Sequence, residues 1–264
     1  LYDNLGNRKL LPGTTTCNLA TDVAGSVLKH NYTTGFEYSD CWVVDSRLVV
    51  LNARDAAQHG ADIRTRCRCT AACRDDKLWH LSLHDTLRDT TTTARARILI
   101  NATGPWLSQF MSTTTHEERN ESIRMVKGSH IIVDKLFDHD RAYIFQNEDG
   151  RIIFAIPYEQ QFTLIGTTDV DYHGDPGEVA IDQQEIDYLC QSASEYFTQP
   201  ITPADIRHSY SGIRPLFDDG ASDAKAATRD YKLSLDSADG TQAPLLSIYG
   251  GKITTYRKLA ETVL

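Results

Sequence analysis

The alternation of apolar and polar residues predicts a first half that consists mainly of short strands. We expect these strands at residues 36–45, 62–70, 78–84 and 94–100. The threonine-rich run 90–93 is interpreted as a hairpin loop between the last two strands, and residues 111–122 as a charged loop. One helix interrupts the series: Asp45 is expected to cap it, and Gly60 to end it just after His59.

The second half contains closely spaced apolar runs, which are typical of an antiparallel sheet. These runs cover residues 123–133, 142–146, 151–157 and 162–167. An amphipathic helix is then predicted from Asp182 to about Phe197, and Pro200 follows its end. Two further strands are expected at 206–214 and 231–235.

The last stretch predicts a buried strand, a tight turn and a helix in direct succession. Residues 244–249 are mostly apolar, the pair Gly250–Gly251 follows, and helix-forming residues begin at Arg257. Backbone N–H groups at a helix start can hold an anion, and glycine lets a flat or phosphorylated ligand approach the backbone closely. An ordinary strand-to-helix turn fits the same spacing, so the pattern alone leaves both interpretations open.

A second glycine turn follows the apolar strand that ends at Ala102. The sequence there is Thr103-Gly104-Pro105-Trp106, which places Gly104 at the carboxyl end of a strand. Ligands in open α/β sheets bind at that end of the strands. A plain strand-to-helix connection is again the alternative.

The composition is that of an ordinary globular protein, with 264 residues of which 41% are hydrophobic and 24% charged. The net charge of −9 argues against a nucleic-acid-binding face, and no apolar run has the length of a membrane-spanning helix. Cys67, Cys69 and Cys73 lack the spacing of zinc ligands, so we expect no metal. Since the chain begins without methionine and stops inside a predicted helix, we expect it to be an internal fragment of a longer enzyme.

Two arginines and one histidine are candidates for binding and catalysis. Arg214 and Arg229 flank an acid-rich loop, and the planar guanidinium can hold a phosphate or carboxylate through two hydrogen bonds. His130 follows Lys127-Gly128-Ser129, and an imidazole suits proton transfer at neutral pH. Taken singly, each of these residues is more often a surface or structural one.

Eight segments together resemble the FAD-dependent glycerol-3-phosphate dehydrogenase family, most closely its aerobic, membrane-associated bacterial type. In chain order they are GFEYSDCWVVDSRLV, NATGPW, KGSHIIV, NEDGRIIFAIPY, IGTTDVDYHGDP, YSGIRPL, TRDY and GGKITTYRKLAE. The resemblance implies an α/β (α+β) fold: part of an FAD-binding Rossmann-like domain with an antiparallel-sheet cap that binds substrate. Residues 1–122 and 244–264 would belong to the FAD-binding domain, and residues 123–243 to the cap.

The resemblance also implies roles for individual residues. His130 would be the catalytic base, and Arg214 and Arg229 would bind the substrate phosphate. Thr167 would line the substrate pocket, and Lys252 would lie beside both substrate and flavin. The residues implied to bind FAD are Thr103, Gly104, Gly250, Gly251, Lys252, Thr254 and Thr255.

The implied reaction is the oxidation of sn-glycerol 3-phosphate to dihydroxyacetone phosphate, with FAD as cofactor and a quinone as electron acceptor. The implied location is cytoplasmic and peripheral to the inner membrane; nucleic acid is not an implied partner, and a homodimer stays open. The family's Gly-x-Gly-x-x-Gly unit and carboxyl-terminal helical domain are absent, so we expect the chain alone to hold FAD weakly and not to turn over. Three alternatives remain: an oxidase that uses oxygen, a related oxidase of another substrate such as an amino acid, and a non-catalytic binding fragment.

Overall fold

The computed structural model describes residues 11–75, 77–116, 122–218, 220, 230–236 and 242–264. The chain divides into two compact units. The first unit comprises Leu1–Trp42, Lys127–Val170 and Glu178–Gly212, and the second comprises Val43–Val126, Asp171–Gly177 and Ile213–Leu264. The predicted domain boundaries at residues 122 and 243 refer to the domains of a longer protein. They therefore stay predictions.

The described residues form a mixed α/β fold with mainly antiparallel sheets. Its helices are α1 (Asp45–Gln58), α2 (Leu107–Phe110), α3 (Gln183–Tyr196) and α4 (Tyr256–Val263). Its strands are β1 (Thr15–Asn18), β2 (Thr34–Glu37), β3 (Cys67–Asp75), β4 (Leu78–Asp85), β5 (Thr90–Ala96), β6 (Leu99–Asn101), β7 (Ile123–Asp134), β8 (Tyr143–Gln146), β9 (Ile152–Tyr158), β10 (Phe162–Gly166), β11 (Val170–Asp171), β12 (Ile206–Phe217), β13 (Lys232–Asp236) and β14 (Leu245–Tyr249). No helix within the described ranges is both long and apolar enough to cross a membrane.

The first unit is organised by an antiparallel sheet in the order β7-β10-β9-β8, in which β7 also pairs with β11 and β12. The four predicted apolar runs form these strands. β8 alternates between buried and exposed residues, whereas β7 and β10 are buried over nearly continuous runs. Ile131 and Val133 of β7 lie in the same core cluster as Leu189 and Ala193 of α3. The sheet face and the helix therefore share one hydrophobic core.

Helix α3 begins with a reciprocal capping box. The Asp182 carboxylate accepts from the N–H of Glu185 at 3.0 Å, and the Glu185 carboxylate accepts from the N–H of Asp182 at 3.1 Å. Both bonds satisfy N–H groups that a helix start leaves without an intrahelical partner. The predicted helix at 182–197 is confirmed.

The second unit contains two small sheets. β3, β4 and β5 form an antiparallel meander, whereas β14 pairs antiparallel with β13 and parallel with β6. Trp79, Leu245 and Tyr249 are completely buried in one core cluster of this unit. The Trp79 indole N–H also donates to the carbonyl of Pro244 at 2.9 Å, which ties the meander to the start of β14.

Two predictions at the start of the chain are wrong. The strand predicted at 36–45 ends at Glu37, because its partner β1 begins at Thr15, which pairs with Glu37. Asp45 does not cap the following helix: it is the first helical residue, after an N-cap residue, Val44, that makes no side-chain capping bond. The predicted end is confirmed, since Gly60 follows the helix with φ of +93°.

Two predicted loops are also wrong. The run 90–93 is the first part of β5 and pairs with β4, with Thr91 opposite His84. Threonine is β-branched and favours extended backbone, and this preference outweighs the polarity of the run. Residues 111–115, expected in a loop, form a turn of π-helix that continues α2.

Acid is expected to weaken the first unit through Asp22. This carboxylate accepts from the N–H of Ala24 at 2.8 Å and from the Arg141 guanidinium, and both bonds lower its pKa to about 2. A lowered carboxyl pKa stabilises the fold above the ordinary value of about 4, and this contribution is lost as the pH falls through the folded-state value. Asp22→Asn should therefore lower the unfolding temperature at neutral pH, and the difference from the unmodified chain should shrink below about pH 4.

Thermal unfolding followed by circular dichroism from neutral pH to about pH 2 measures this effect. Asp138→Asn is the matched control, because the Asp138 side chain is 97% exposed. A difference between Asp22→Asn and the unmodified chain that is equally large at both ends of this range would refute the role of the Asp22 charge.

Candidate functional site

The parallel pairing of β6 and β14 brings two glycine turns to one edge of a sheet. The pairing aligns Leu99 with Leu245 and Asn101 with Ser247. β6 leads into the Thr103–Gly104 turn, and β14 leads into the Gly250–Gly251 turn. Because the strands are parallel, both turns lie at their carboxyl ends, where α/β sheets bind ligands.

Asn101 holds the first turn in shape. Its side chain is 1% exposed. Its Oδ1 atom accepts from the Thr103 hydroxyl at 2.7 Å and from the Thr103 N–H at 3.3 Å, and its amide donates to the carbonyl of Leu107 at 3.4 Å. The sequence analysis did not assign Asn101 a role, although a buried amide at the end of an apolar strand was the available signal. Gly104 follows with φ of +58°, a value that favours glycine.

The second turn requires glycine for two reasons. Gly250 and Gly251 have φ of +77° and +104°. A Cβ atom on Gly250 would also lie 2.9 Å from the carbonyl oxygen of Asp230. Among the described residues, no backbone carbonyl accepts from the N–H of Gly251 or Lys252.

Lys252, Thr254 and Thr255 follow directly and are exposed. Lys252 is the N-cap of a short 3-10 helix, Ile253–Thr255, which continues into α4. The predicted succession of strand, glycine turn and helix is confirmed. The roles of these residues in cofactor binding stay predictions.

His130 lies in β7 of the first unit, and Thr167 directly follows the neighbouring strand β10. His130 in β7 is the register partner of Gly166 in β10, and Thr167 is the next residue. The His130 ring stacks on Tyr210, with centroids 5.0 Å apart and planes 13° apart. Both His130 and Thr167 are half-buried.

A buried polar network lies beside this pair. Lys127 and Glu185 are 6% and 4% exposed, and their charged groups are 2.7 Å apart. Glu185 also accepts from the hydroxyls of Ser129 at 2.8 Å and Thr168 at 2.6 Å. The Ser129 hydroxyl is in turn 2.8 Å from that of Ser211. Since Ser129 precedes His130 and Thr168 follows Thr167, the network anchors the backbone on both sides of the pair.

The network shifts the pKa values of Lys127 and Asp182. Burial alone would lower the pKa of Lys127, but its hydrogen bonds to Asp182 and Glu185 outweigh burial and raise that pKa. The same Lys127 hydrogen bond, together with the N–H of Glu185, lowers the pKa of Asp182. Lys127 is therefore a fixed cation at neutral pH, balanced by two carboxylates. The sequence analysis named Lys127 but did not find Glu185, because the two residues meet only through the packing of α3 on the sheet.

Of the two predicted phosphate-binding arginines, Arg214 is among the described residues and Arg229 is not. Arg214 is a half-buried residue of β12 and belongs to the second unit, as does Lys252. Arg229 lies outside the described residues. His130 and Thr167 belong to the first unit, so a single pocket that contains all of these residues stays a prediction.

A family model described as FAD dependent oxidoreductase matches residues 5–257. The chain belongs to this family. Over all 264 residues, the chain is 50% identical to a glycerol-3-phosphate dehydrogenase of Pseudomonas aeruginosa and covers 51% of that protein. Over 261 residues, it is 48% identical to a D-erythritol 1-phosphate dehydrogenase of Brucella abortus and covers 52% of it.

The resemblance inferred from the motifs is thus confirmed, and the chain spans about half the length of these curated relatives. Among solved structures, the glycerol-3-phosphate dehydrogenase from Bacillus halodurans complexed with FAD has a TM-score of 0.76 to this chain. The match covers 95% of this chain and 50% of that one, with 26% identical residues. The α/β (α+β) fold class is confirmed by this match.

The edge with the two glycine turns fits FAD, the cofactor of the family. The Gly250–Gly251 turn carries no side chain that would block a flat or phosphorylated ligand, and backbone N–H groups in such a turn are suitable donors to carbonyl or phosphate oxygens. Asn101 fixes the neighbouring turn through buried hydrogen bonds. A preorganised backbone of this kind suits a ligand that is recognised through main-chain contacts.

Proposed function

We propose that this chain carries the substrate-binding cap and part of the FAD site of a glycerol-3-phosphate dehydrogenase. The observation that carries the proposal is the 50% identity over all 264 residues to a dehydrogenase of that name. The enzyme oxidises sn-glycerol 3-phosphate to dihydroxyacetone phosphate. Residues 1–122 and 244–264 would form its FAD-binding part, and residues 123–243 its cap.

Substrate binding is assigned to Arg214, Arg229, Thr167 and Lys252. A guanidinium offers a phosphate two parallel hydrogen bonds with full charge complementarity, so the two arginines bind the phosphate group. The half-buried Thr167 offers a hydroxyl to the polyol end of the substrate. Lys252 adds a positive charge at the glycine turn.

His130 is assigned the proton transfer. An imidazole nitrogen of His130 takes the proton of the C2 hydroxyl as the C2–H bond breaks, which converts the alcohol carbon into a ketone. A histidine suits this step because its ordinary pKa lies close to neutral pH. The aromatic contact with Tyr210 and the polar network around Ser129 support the assignment, because they hold the residue in one place.

When bound, FAD accepts the hydride that leaves C2. The residues that would hold it are Thr103, Gly104, Gly250, Gly251, Lys252, Thr254 and Thr255. These residues would hold the cofactor through their backbone N–H groups and hydroxyls. The electrons then pass to a quinone, and the enzyme works in the cytoplasm at the surface of the inner membrane, as a monomer or a homodimer.

A second candidate substrate is a four-carbon polyol phosphate. The observation that favours it is the 48% identity to the Brucella abortus protein named D-erythritol 1-phosphate dehydrogenase. The two substrates share a phosphate and a secondary alcohol, so the same residues would serve both. The length of the pocket at the polyol end would then decide between them.

Steady-state turnover of the full-length protein that contains this chain, loaded with FAD, tests the proposal. The substrates are glycerol 3-phosphate, erythritol 1-phosphate, glycerol and an amino acid, and the acceptors are a soluble quinone and oxygen. We expect the highest kcat/KM with glycerol 3-phosphate and quinone. Faster turnover of erythritol 1-phosphate would favour the second candidate, and hydrogen peroxide formation at a comparable rate would identify an oxidase. Turnover of the amino acid alone would refute the phosphate assignment.

A further inference from the structure

The His130 ring lies directly against the backbone of Gly166. A Cβ atom placed on Gly166 would be 2.1 Å from Cδ2 of His130 and 2.7 Å from its Cγ and Nε2 atoms. These distances are far below an ordinary contact between heavy atoms, which is about 3.5–4.0 Å for carbon. Any side chain at position 166 would therefore collide with the imidazole.

The lack of space, rather than a positive φ, is what requires glycine here. Gly166 does not have the positive φ that marks Gly250 and Gly251. It is the last residue of β10, and it pairs with His130 on one side and with Phe154 on the other. Glycine weakens a strand, so its presence at a paired position usually marks the close approach of another group. In this strand the approaching group is the His130 ring.

The same ring has an aromatic neighbour in β12. Tyr210 stacks on His130 with planes that are 13° apart, although Tyr210 itself is 43% exposed. An exposed tyrosine gains little from burial, but stacking of two aromatic rings is itself favourable. Gly166 and Tyr210 thus restrict the imidazole from two different strands.

We propose that Gly166 and Tyr210 are positioning residues that hold the His130 imidazole in the orientation needed to accept the proton of the C2 hydroxyl. The proposal rests on the function proposed above, in which His130 is the base. Since Thr167 follows Gly166, the same stretch of backbone sets the distance between the base and a pocket hydroxyl. A base held in one orientation spends none of its time in unproductive rotamers, and small displacements of such a group lower the rate strongly.

The orientation of the ring can be tested on this chain without cofactor or substrate. NMR spectra of the His130 ring protons report the stacking, because a tyrosine face shifts them upfield. Tyr210→Leu should remove that shift, Tyr210→Phe should keep it, and Gly166→Ala should change it by displacing the ring. His130→Gln identifies the signals. Gly35→Ala is the matched control, because a Cβ there would meet only the flexible side chain of Leu19, at 3.4 Å.

The functional consequence is tested by kinetics of the full-length, FAD-loaded protein. Gly166→Ala is expected to lower kcat about tenfold to a hundredfold, with a much smaller change in KM. Tyr210→Leu should lower kcat in the same way but less, Tyr210→Phe should restore it, and Gly35→Ala should leave it unchanged. A fall in kcat that follows the NMR displacement across these variants supports the proposal.

Two results would separate the failure of this inference from that of the proposed function. In one result, Gly166→Ala or Tyr210→Leu moves the ring signals but leaves kcat unchanged, while His130→Gln abolishes turnover. This result would refute the positioning role of Gly166 and Tyr210 but would agree with His130 as the base. If His130→Gln retains full turnover, the assignment of the base is wrong whatever the ring does. If Gly166→Ala does not fold, Tyr210→Leu alone tests the positioning role. Replacing an exposed ring should not prevent folding.

Discussion

Arg214→Ala is expected to raise the KM for glycerol 3-phosphate between about 30-fold and several thousandfold, with a smaller effect on kcat. Removing one partner from a desolvated charge pair costs about 2–5 kcal/mol, and each 1.4 kcal/mol is a factor of ten. Arg214 is half-buried, so its charge is already partly removed from water. Arg214→Lys should recover only part of the affinity, because an ammonium cannot form the paired hydrogen bonds of a guanidinium.

Arg207 provides the matched control for this measurement. It lies in the same strand and makes two hydrogen bonds to Asp134, at 3.0 and 2.6 Å, but both side chains are more than half exposed. Exposed ion pairs contribute little, so Arg207→Ala should leave the KM unchanged. The KM values should be compared with inhibition by inorganic phosphate, which should weaken only in the Arg214 variants. Equal KM values for the two alanine variants would show that Arg214 does not bind the phosphate.

Glu185→Ala is expected to lower the free energy of unfolding by about 3–5 kcal/mol. The change leaves the buried Lys127 ammonium with Asp182 as its remaining carboxylate partner, and it removes the acceptor from the hydroxyls of Ser129 and Thr168. Glu185→Gln should cost less, about 1–3 kcal/mol, because the amide oxygen still accepts from the hydroxyls while the charge is lost.

Urea denaturation of the chain followed by tryptophan fluorescence and circular dichroism measures both variants. Glu195→Ala is the control, because Glu195 is an exposed residue of the same helix, and its loss should change stability by less than about 0.5 kcal/mol. Combining Glu185→Gln with Lys127→Met should be less destabilising than the two single losses added together, since the pair is removed as a unit. Purely additive losses would contradict the ion pair.

Elements whose signal is local could be predicted well. The strands β7, β8, β9 and β10 follow from their short apolar runs, and α3 follows from its apolar stripe and from the Asp182 cap. The turn after β14 was also predicted, because two consecutive glycines after an apolar run are typical of a tight turn. In each case the information lies within a few residues, which is the range over which backbone propensity and periodicity act.

Elements that depend on a distant partner could not be predicted. The run 90–93 is a strand only because β4 lies beside it, and β2 stops at Glu37 only because β1 begins at Thr15. The single stretch predicted at 94–100 is divided between β5 and β6, which belong to different sheets. The periodicity within each of these segments does not indicate which strand it pairs with.

The sequence by itself determined the family, the fold class and the residue types available for phosphate binding, proton transfer and a backbone-lined cofactor edge. These depend on short motifs and local patterns, which can be recognised without coordinates. Only the tertiary structure decided that Glu185 balances Lys127, that Asn101 holds the turn before Gly104, and that Gly166 leaves room for the His130 ring. Of these, the Lys127–Glu185 ion pair and the Gly166–His130 contact join residues at least 36 positions apart. Such contacts arise only when packing brings separate elements to within a few ångströms of each other.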